Sequence, residues 1–272
     1  MIYADEYIVK KEELTAIADA IRDKTLDTNV ITTAEMPSKI NEVYEAGKQA
    51  EYDAFWEDFQ QSGNRTDYAY AFYGSGAKEF WGDRFAPKYD MQPTNATSMF
   101  QYSHASNINL KEGLSKHGVK FDLSKCTSAG SCFNYSALGD LPELDLRALS
   151  KIPLMFYSCS SKVIDKIILK SDGSQTFENP FNSCTSLEEV RFEGVIGQNG
   201  LNFKSATKLS ADSIESIINA LSATTSGLSI TLSKTAVDAA CKEMEGDGWD
   251  STNSMWFPWL TGTKPNWTIS LA

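Results

Sequence analysis

The chain has 272 residues, 25 Lys and Arg against 36 Asp and Glu, and a formal net charge of −11. Its hydrophobic fraction of 42% and charged fraction of 22% are globular values, and the length suits one or two domains with a full core. The acidic balance excludes affinity built on nucleic-acid phosphates and disfavours docking on anionic lipid, because both draw on Lys and Arg. There is no apolar run of 18 residues, so no membrane insertion is expected.

The N-terminus, MIYADEYIVKKEELTAIADAIRDK, has no charged n-region followed by an apolar h-region, so export by a signal peptide is not expected. Residues 11–24 fit a short amphipathic helix with Leu14, Ile17, Ala18 and Ile21 on one face. A loop ends at Pro37, and a longer helix is expected from about residue 38 to 61. Along it Met36, Ile40, Val43, Gly47, Ala50 and Ala54 are spaced 4, 3, 4, 3, 4. That is a heptad seam about 28 Å long, a candidate for homo-oligomerisation, with a trimer among the options. The alternative is a helix packed on its own domain. Residues 1–62 therefore read as a helical attachment or oligomerisation region. Residues 63–97 read as an aromatic-rich connecting region, with a strand expected where Tyr68, Tyr70 and Phe72 alternate.

From residue 98 a repeat emerges. Met99-Phe100-Gln-Tyr-Ser103 precedes Asn107-Ile108-Asn-Leu110; Cys132-Phe133-Asn-Tyr-Ser136 precedes Leu144-Asp-Leu146. Met155-Phe156-Tyr-Ser-Cys159 precedes Ile167-Ile168-Leu169; Pro180-Phe181-Asn-Ser-Cys184 precedes Val190-Arg-Phe192. The phenylalanines lie 33, 23 and 25 apart. One unit cannot bury its own apolar face; stacked units can, with Phe100, Phe133, Phe156 and Phe181 in a column and a short strand from each unit. Ser or Cys at the turn, including Cys159 and Cys184, fits a tight buried corner without redox or metal chemistry. VKFDLSKC in the longest interval suggests a degenerate extra unit at 119–126.

Residues 201–272 read as an α/β cap. Ser210 N-caps a helix carrying Ile214, Ile217, Ile218 and Leu221, and LSITLS alternates as a strand over 228–233. Ser233 opens a second helix with Val237, Ala240, Cys241 and Met244 on one face, ended by Gly246. NWTISL forms the last strand. The overall expectation is α+β: N-terminal helices, an irregular repeat stack over 98–200, and this cap.

The repeat units resemble BspA-type leucine-rich repeats. Phe181-Asn-Ser-Cys184-Thr-Ser-Leu187-Glu-Glu-Val190 is a close match and Met155-Phe156-Tyr-Ser-Cys159 a good one, while Ser103 and Ser136 replace the Cys of the pattern. The resemblance covers residues 98–194 and implies a leucine-rich-repeat-like β-solenoid. A second resemblance lies at the ends. Glu13-Leu14-Thr15-Ala16-Ile17-Ala18-Asp19-Ala20-Ile21-Arg22 with Lys24-Thr25, then Met36-Pro37 and Ile40, looks like the N-terminal segment of tail and baseplate-associated proteins from phages of Gram-positive bacteria. The C-terminal LSKTAVDAA and KPNWTISL look like the end of repeat proteins in gut-bacterial phages and prophages. Together these imply a non-enzymatic virion structural protein, made in the host cytoplasm, whose partners are other virion proteins and a bacterial surface protein or glycan. A bacterial surface adhesin of the same repeat type, a soluble phage protein acting on a host factor, and a glycan-cleaving tail enzyme are the alternatives.

No catalytic motif of the GxSxG, HExxH or P-loop kind is present, and no cofactor or metal is expected. Gly74-Ser75-Gly76 reads as a turn, and His104 and His117 as surface or turn residues. Glycoside hydrolysis needs only two suitably placed carboxylates, for which Glu188 with Glu189, or Asp140, Glu143 and Asp145, are the nearest clusters. Glu245, Asp247 and Asp250 share a Gly-rich turn but lack EF-hand spacing. Trp249, Trp256, Phe257 and Trp259 read as the core of the cap; an exposed pair, Trp256 with Trp259, would instead make ligand contacts.

Overall fold

The computed structural model describes residues 65–74, 90–103 and 110–272. All belong to the second of two units into which the chain divides, Phe59–Ala272. The seam Met36, Ile40, Val43, Gly47, Ala50 and Ala54, the remainder of residues 1–62, and His104 lie outside the described residues.

The described chain is α+β. Its elements are α1 (Leu110–His117), β1 (Leu144–Asp145), β2 (Lys151–Pro153), β3 (Val163–Ile168), β4 (Thr176–Glu178), β5 (Glu189–Glu193), β6 (Asn202–Phe203), α2 (Ala211–Ala220), β7 (Leu228–Leu232), α3 (Lys234–Glu245), α4 (Trp256–Gly262) and β8 (Trp267–Leu271). Every strand pair is parallel, in three sheets ordered β1-β3-β5, β2-β4 and β6-β7-β8. Single parallel bridges extend the same pattern toward the N-terminus, Asp67 to Asn95, Asn95 to Ser128, and Met91 to Phe121. Parallel neighbours require a long connection between them, and the spacing between successive phenylalanines supplies it. Each passage of the chain, called a rung below, thus lies beside the equivalent residues of the next.

A column of phenyl rings runs through the middle. Successive centroids are 5.2 Å (Phe72–Phe100), 5.5 Å (Phe100–Phe133), 5.7 Å (Phe133–Phe156), 5.0 Å (Phe156–Phe181) and 4.8 Å (Phe181–Phe203) apart, all stacked. All six rings are buried. Such pairs contribute about 0.5–1.5 kcal/mol each beyond the area they bury. Phe121 packs edge-on against Phe100 and Phe133, and Phe192 does the same against Phe181 and Phe203. The column extends past both limits of the 98–200 segment, to Phe72 and Phe203.

The backbone around each phenylalanine repeats as regularly as the ring. All nine non-glycine residues with positive φ among the described residues stand two positions before or after a column phenylalanine: Tyr70, Ser98, Tyr102, Ser131, Tyr135, Leu154, Ser158, Asn179 and Ser183. The left-handed region is costly for L-residues, so something must offset it. Successive tight turns close each loop, as in Cys132 N–H to Ala129 O (3.3 Å), Asn134 N–H to Ser131 O (3.1 Å) and Ser136 N–H to Phe133 O (3.2 Å). The N–H groups at the phenylalanine and at the left-handed positions then donate to the following rung. Ser131 donates to Pro153 O (3.0 Å), Phe133 to Met155 O (2.8 Å) and Tyr135 to Tyr157 O (2.8 Å). The same three-bond set joins the loops of Phe72, Phe100 and Phe156 to their successors. These loops therefore satisfy backbone groups whose burial would otherwise be costly.

The small residue three places after Phe100, Phe133, Phe156 and Phe181 is buried, as its size and polarity suggested. Ser103 Oγ donates to Phe72 O (2.5 Å), Ser136 Oγ to Phe133 O (2.8 Å), and Cys184 Sγ to Phe156 O (2.9 Å). Cys159 Sγ reaches Ser161 Oγ at 3.2 Å. Burial pushes the Cys132 and Cys184 thiols well above their ordinary range, which suits packing and opposes nucleophilic use.

Four sequence expectations need correction here. Residues 69–74 are turns where a strand was expected, because Tyr70 is left-handed and breaks the alternation. Leu110 begins α1 and is not part of a strand. The segment 119–126 is no extra unit: Phe121 pairs with Met91 and belongs to the rung that ends in Phe133. Met244 is exposed on α3, while Val237, Ala240 and Cys241 are buried.

In the C-terminal part, Ser210 caps α2 by accepting from Ser213 N–H (3.3 Å), and Ile214, Ile217, Ile218 and Leu221 are buried. α2 has no basic residue in its last turn; Lys264 supplies the charge from a distance, its Nζ donating to Asn219 O (3.1 Å) and Leu221 O (2.5 Å). Ser233 caps α3, and β8 pairs along its full length with β7. Asp238 on α3 ties down the following loop. Its Oδ1 accepts from Ser251 N–H (2.9 Å) and Oγ (2.7 Å), and its Oδ2 from Lys234 Nζ (2.5 Å). Burial alone would push this carboxyl up; the bonds from Lys234 and Ser251 outweigh it and bring it down to about 2. With an unfolded value near 3.9, its contribution is complete above about pH 4 and is lost as pH falls toward 2. Asp238→Asn is therefore expected to cost about 2 kcal/mol at pH 7 and almost nothing at pH 2, read as the difference between urea melts of the two proteins across that range.

Candidate ligand-contact surface

Positions one or two residues from the column phenylalanines carry a second aromatic row, toward the surface. Tyr70 meets Tyr73 at 5.7 Å, Tyr73 meets Tyr102 at 5.6 Å, Tyr102 meets Tyr135 at 5.3 Å, and Tyr135 meets Tyr157 at 5.5 Å. Tyr70, Tyr73, Tyr102 and Tyr135 keep 40–60% of their surface exposed. The same left-handed turns that send Phe100 and Phe133 inward place Tyr102 and Tyr135 two residues later on the outside. The row is set by the backbone repeat and held by the rung-to-rung bonds, so its members are pre-positioned before any ligand arrives, which lowers the ordering cost of binding.

Between Tyr73 and Tyr157 the neighbouring loop positions are Ser98, Gln101, Ser131, Asn134 and Ser158, all uncharged. Asn134 is buried, and its side-chain oxygen has no hydrogen-bond partner among the described residues. An unmatched buried acceptor costs about 1–3 kcal/mol; Asn134 stands between Phe133 and Tyr135 in the chain.

Five of the ion pairs among the described residues lie on the β1-β3-β5 sheet and beside it. Lys166 bridges Glu143 (2.8 Å) and Glu193 (3.1 Å), Lys111 meets Asp165 (2.6 Å), Arg147 meets Asp145 (2.6 Å), and Lys162 meets Glu188 (3.4 Å). Of the carboxylates considered for hydrolysis, Glu143, Asp145 and Glu188 are thus engaged in rung-to-rung or local ion pairs, and Asp140 accepts from Val163 N–H (3.2 Å). The Arg147 guanidinium holds the Asp145 carboxyl below its usual range, the opposite of what a proton-donating acid needs. A depression of about 610 Å³ beside α1 is lined by Lys111, Phe121, Glu143, Asp145 and Arg147 among others, all on this charged side.

The acidic turn after α3 has structural work. Glu245 Oε1 accepts from Met255 N–H (2.8 Å) and Trp256 N–H (2.5 Å), capping α4, and Asp250 Oδ1 accepts from Thr252 N–H (2.8 Å) and Oγ1 (2.6 Å). His117 closes α1. Of the two tryptophans proposed as contacts, Trp256 is 8% exposed and donates from Nε1 to Glu215 Oε1 (2.9 Å), so it belongs to the core. Trp259 is 65% exposed, next to exposed Met255 one helical turn away. The alternative of an exposed Trp pair is therefore not met, and the core reading holds for Trp256 but is corrected for Trp259, which the helix phase turns to the surface. The tyrosine row was missed at the sequence level, although Phe-Gln-Tyr-Ser and Phe-Asn-Tyr-Ser repeat the signal at a fixed offset.

No helix among the described residues is long and apolar enough to cross a membrane. No family model, curated protein or solved structure matches the chain.

Proposed function

We propose that the chain is a non-enzymatic phage virion protein, tail- or baseplate-associated, that presents a leucine-rich-repeat-like β-solenoid to a ligand on the bacterial surface. The observation that carries this reading is the ordered, exposed tyrosine row on a parallel stack whose loops are fixed by repeated backbone bonds. A rigid, extended contact surface is what repeat stacks offer a partner. The N-terminal and C-terminal resemblances supply the phage context. In this reading residues 1–62 attach the chain to other virion proteins and bring copies together through the seam at Met36–Ala54, while the stack points outward. Immunogold labelling of phage particles with an antibody against residues 98–272 tests it. Label at the tail end of intact particles is the expected result; particles without label, with the protein confined to the cell extract, would contradict it.

A further inference from the structure

We propose that the tyrosine edge binds a neutral, extended glycan laid along the stack, one sugar unit against each rung. This rests on the surface-binding reading above and names its ligand class.

The ring geometry is the first argument. Tyr102 and Tyr135 are stacked at 22°, so their faces are largely used on each other and their edges and hydroxyls remain for a ligand. A phenolic hydroxyl both donates and accepts, as each sugar hydroxyl does. Toward the ends the rings turn out of the stack, Tyr73 at 83° to Tyr102 and Tyr157 at 49° to Tyr135, which offers ring surface to sugar C–H groups.

Spacing is the second. The contacts from Tyr73 to Tyr157 recur at 5.3–5.6 Å, comparable to the length of one pyranose unit in an extended chain. An extended polypeptide repeats a same-face side chain only about every 6.6–6.8 Å, so it drifts out of register by roughly 1 Å per rung.

Charge is the third. The loop residues between Tyr73 and Tyr157 are uncharged, whereas the ion pairs lie on and beside the β1-β3-β5 sheet. Among the described loop residues between Tyr73 and Tyr157 an anionic glycan finds no cation, and the chain's net charge of −11 repels it.

The test uses the fluorescently labelled full chain on a panel of Gram-positive gut bacteria, untreated, protease-treated, or treated with periodate, which cleaves vicinal diols. Two double variants accompany it: Tyr102→Ala with Tyr135→Ala, and Tyr102→Phe with Tyr135→Phe, which keeps the rings and removes the hydroxyls. Thermal melts confirm that both fold. Binding is expected to survive protease and about 1 M salt, where the Debye length is near 3 Å. Periodate and the alanine pair should each weaken it at least about tenfold, with the phenylalanine pair in between. Protease-sensitive, periodate-resistant binding would make the ligand a protein and overturn the glycan inference while leaving the surface-binding reading in place. Full binding by the alanine pair would put the site elsewhere, again overturning only the inference. No binding to any cell would overturn both.

Discussion

Phe133→Ala is expected to lower the unfolding free energy by about 3–5 kcal/mol. Phe133 is completely buried, stacked between Phe100 at 5.5 Å and Phe156 at 5.7 Å, with the edge of Phe121 at 6.2 Å. Removing the ring takes away contacts on three sides. The neighbours cannot close the gap, because their separation is set by backbone bonds between rungs, such as Phe100 N–H to Cys132 O and Phe133 N–H to Met155 O, both 2.8 Å. A site that cannot collapse sits at the costly end of the large-to-small range. Phe133→Leu, which keeps most of the volume, should cost about 1–2 kcal/mol. Tyr135→Ala, two residues away on the surface, should cost under about 1 kcal/mol. Urea melts of the three proteins give the order; a loss under about 1 kcal/mol for Phe133→Ala would mean that the column is not the core.

Gly200→Ala should be comparably damaging for a different reason. Gly200 has φ +112°, and a Cβ built on it would lie 2.0 Å from Phe177 O and 2.8 Å from Phe177 C. The obstacle is the backbone of β4 in the adjacent rung, so no side chain can turn aside to relieve it. Strain of about 1–3 kcal/mol for the conformation adds to the displacement of one rung from another. The Asn179 N–H to Gly200 O bond (3.2 Å), which joins these rungs, would be strained with it. Gly246 is the matched control: its φ is +101°, but a Cβ there meets nothing within 4 Å. Gly246→Ala should therefore show the conformational cost alone, about 1–2 kcal/mol, and Gly200→Ala clearly more, or no soluble protein. Equal effects would mean that close rung approach contributes little.

Much of this architecture was legible in the residues. Phe100, Phe133, Phe156 and Phe181, each followed three places on by Ser or Cys, predict the ring column and its buried corners, because one unit cannot bury a phenyl ring alone. The cap was legible through Ser210, Ser233, Gly246 and the alternation of β7 and β8. The ends of the column were not. Phe72-Tyr-Gly-Ser75 carries the Ser of the pattern but lies in an aromatic- and Gly-rich stretch with no clear period around it, and Phe203 has Ala206 at the corner position, which no polar pattern marks. The left-handed residues were also illegible: Leu154 and Tyr70 are poor choices for positive φ in isolation, and only the inter-rung bonds explain them. Tyr102 and Tyr135 stood in plain view at a constant offset, but aromatic side chains near a core pattern read as core until the turn geometry sends them outward. Trp256 and Trp259 illustrate the converse, since helix phase alone divides them between inside and outside.

The most direct test of the central claim, that the tyrosine edge is the face that meets the bacterial surface, is hydroxyl-radical footprinting of the full chain free and bound to cells. The account predicts that Tyr70, Tyr73, Tyr102 and Tyr135 lose reactivity on binding while Met255 and Trp259 keep theirs. Tyrosines that stay reactive, with Met255 and Trp259 protected instead, would move the contact face to the cap and contradict it.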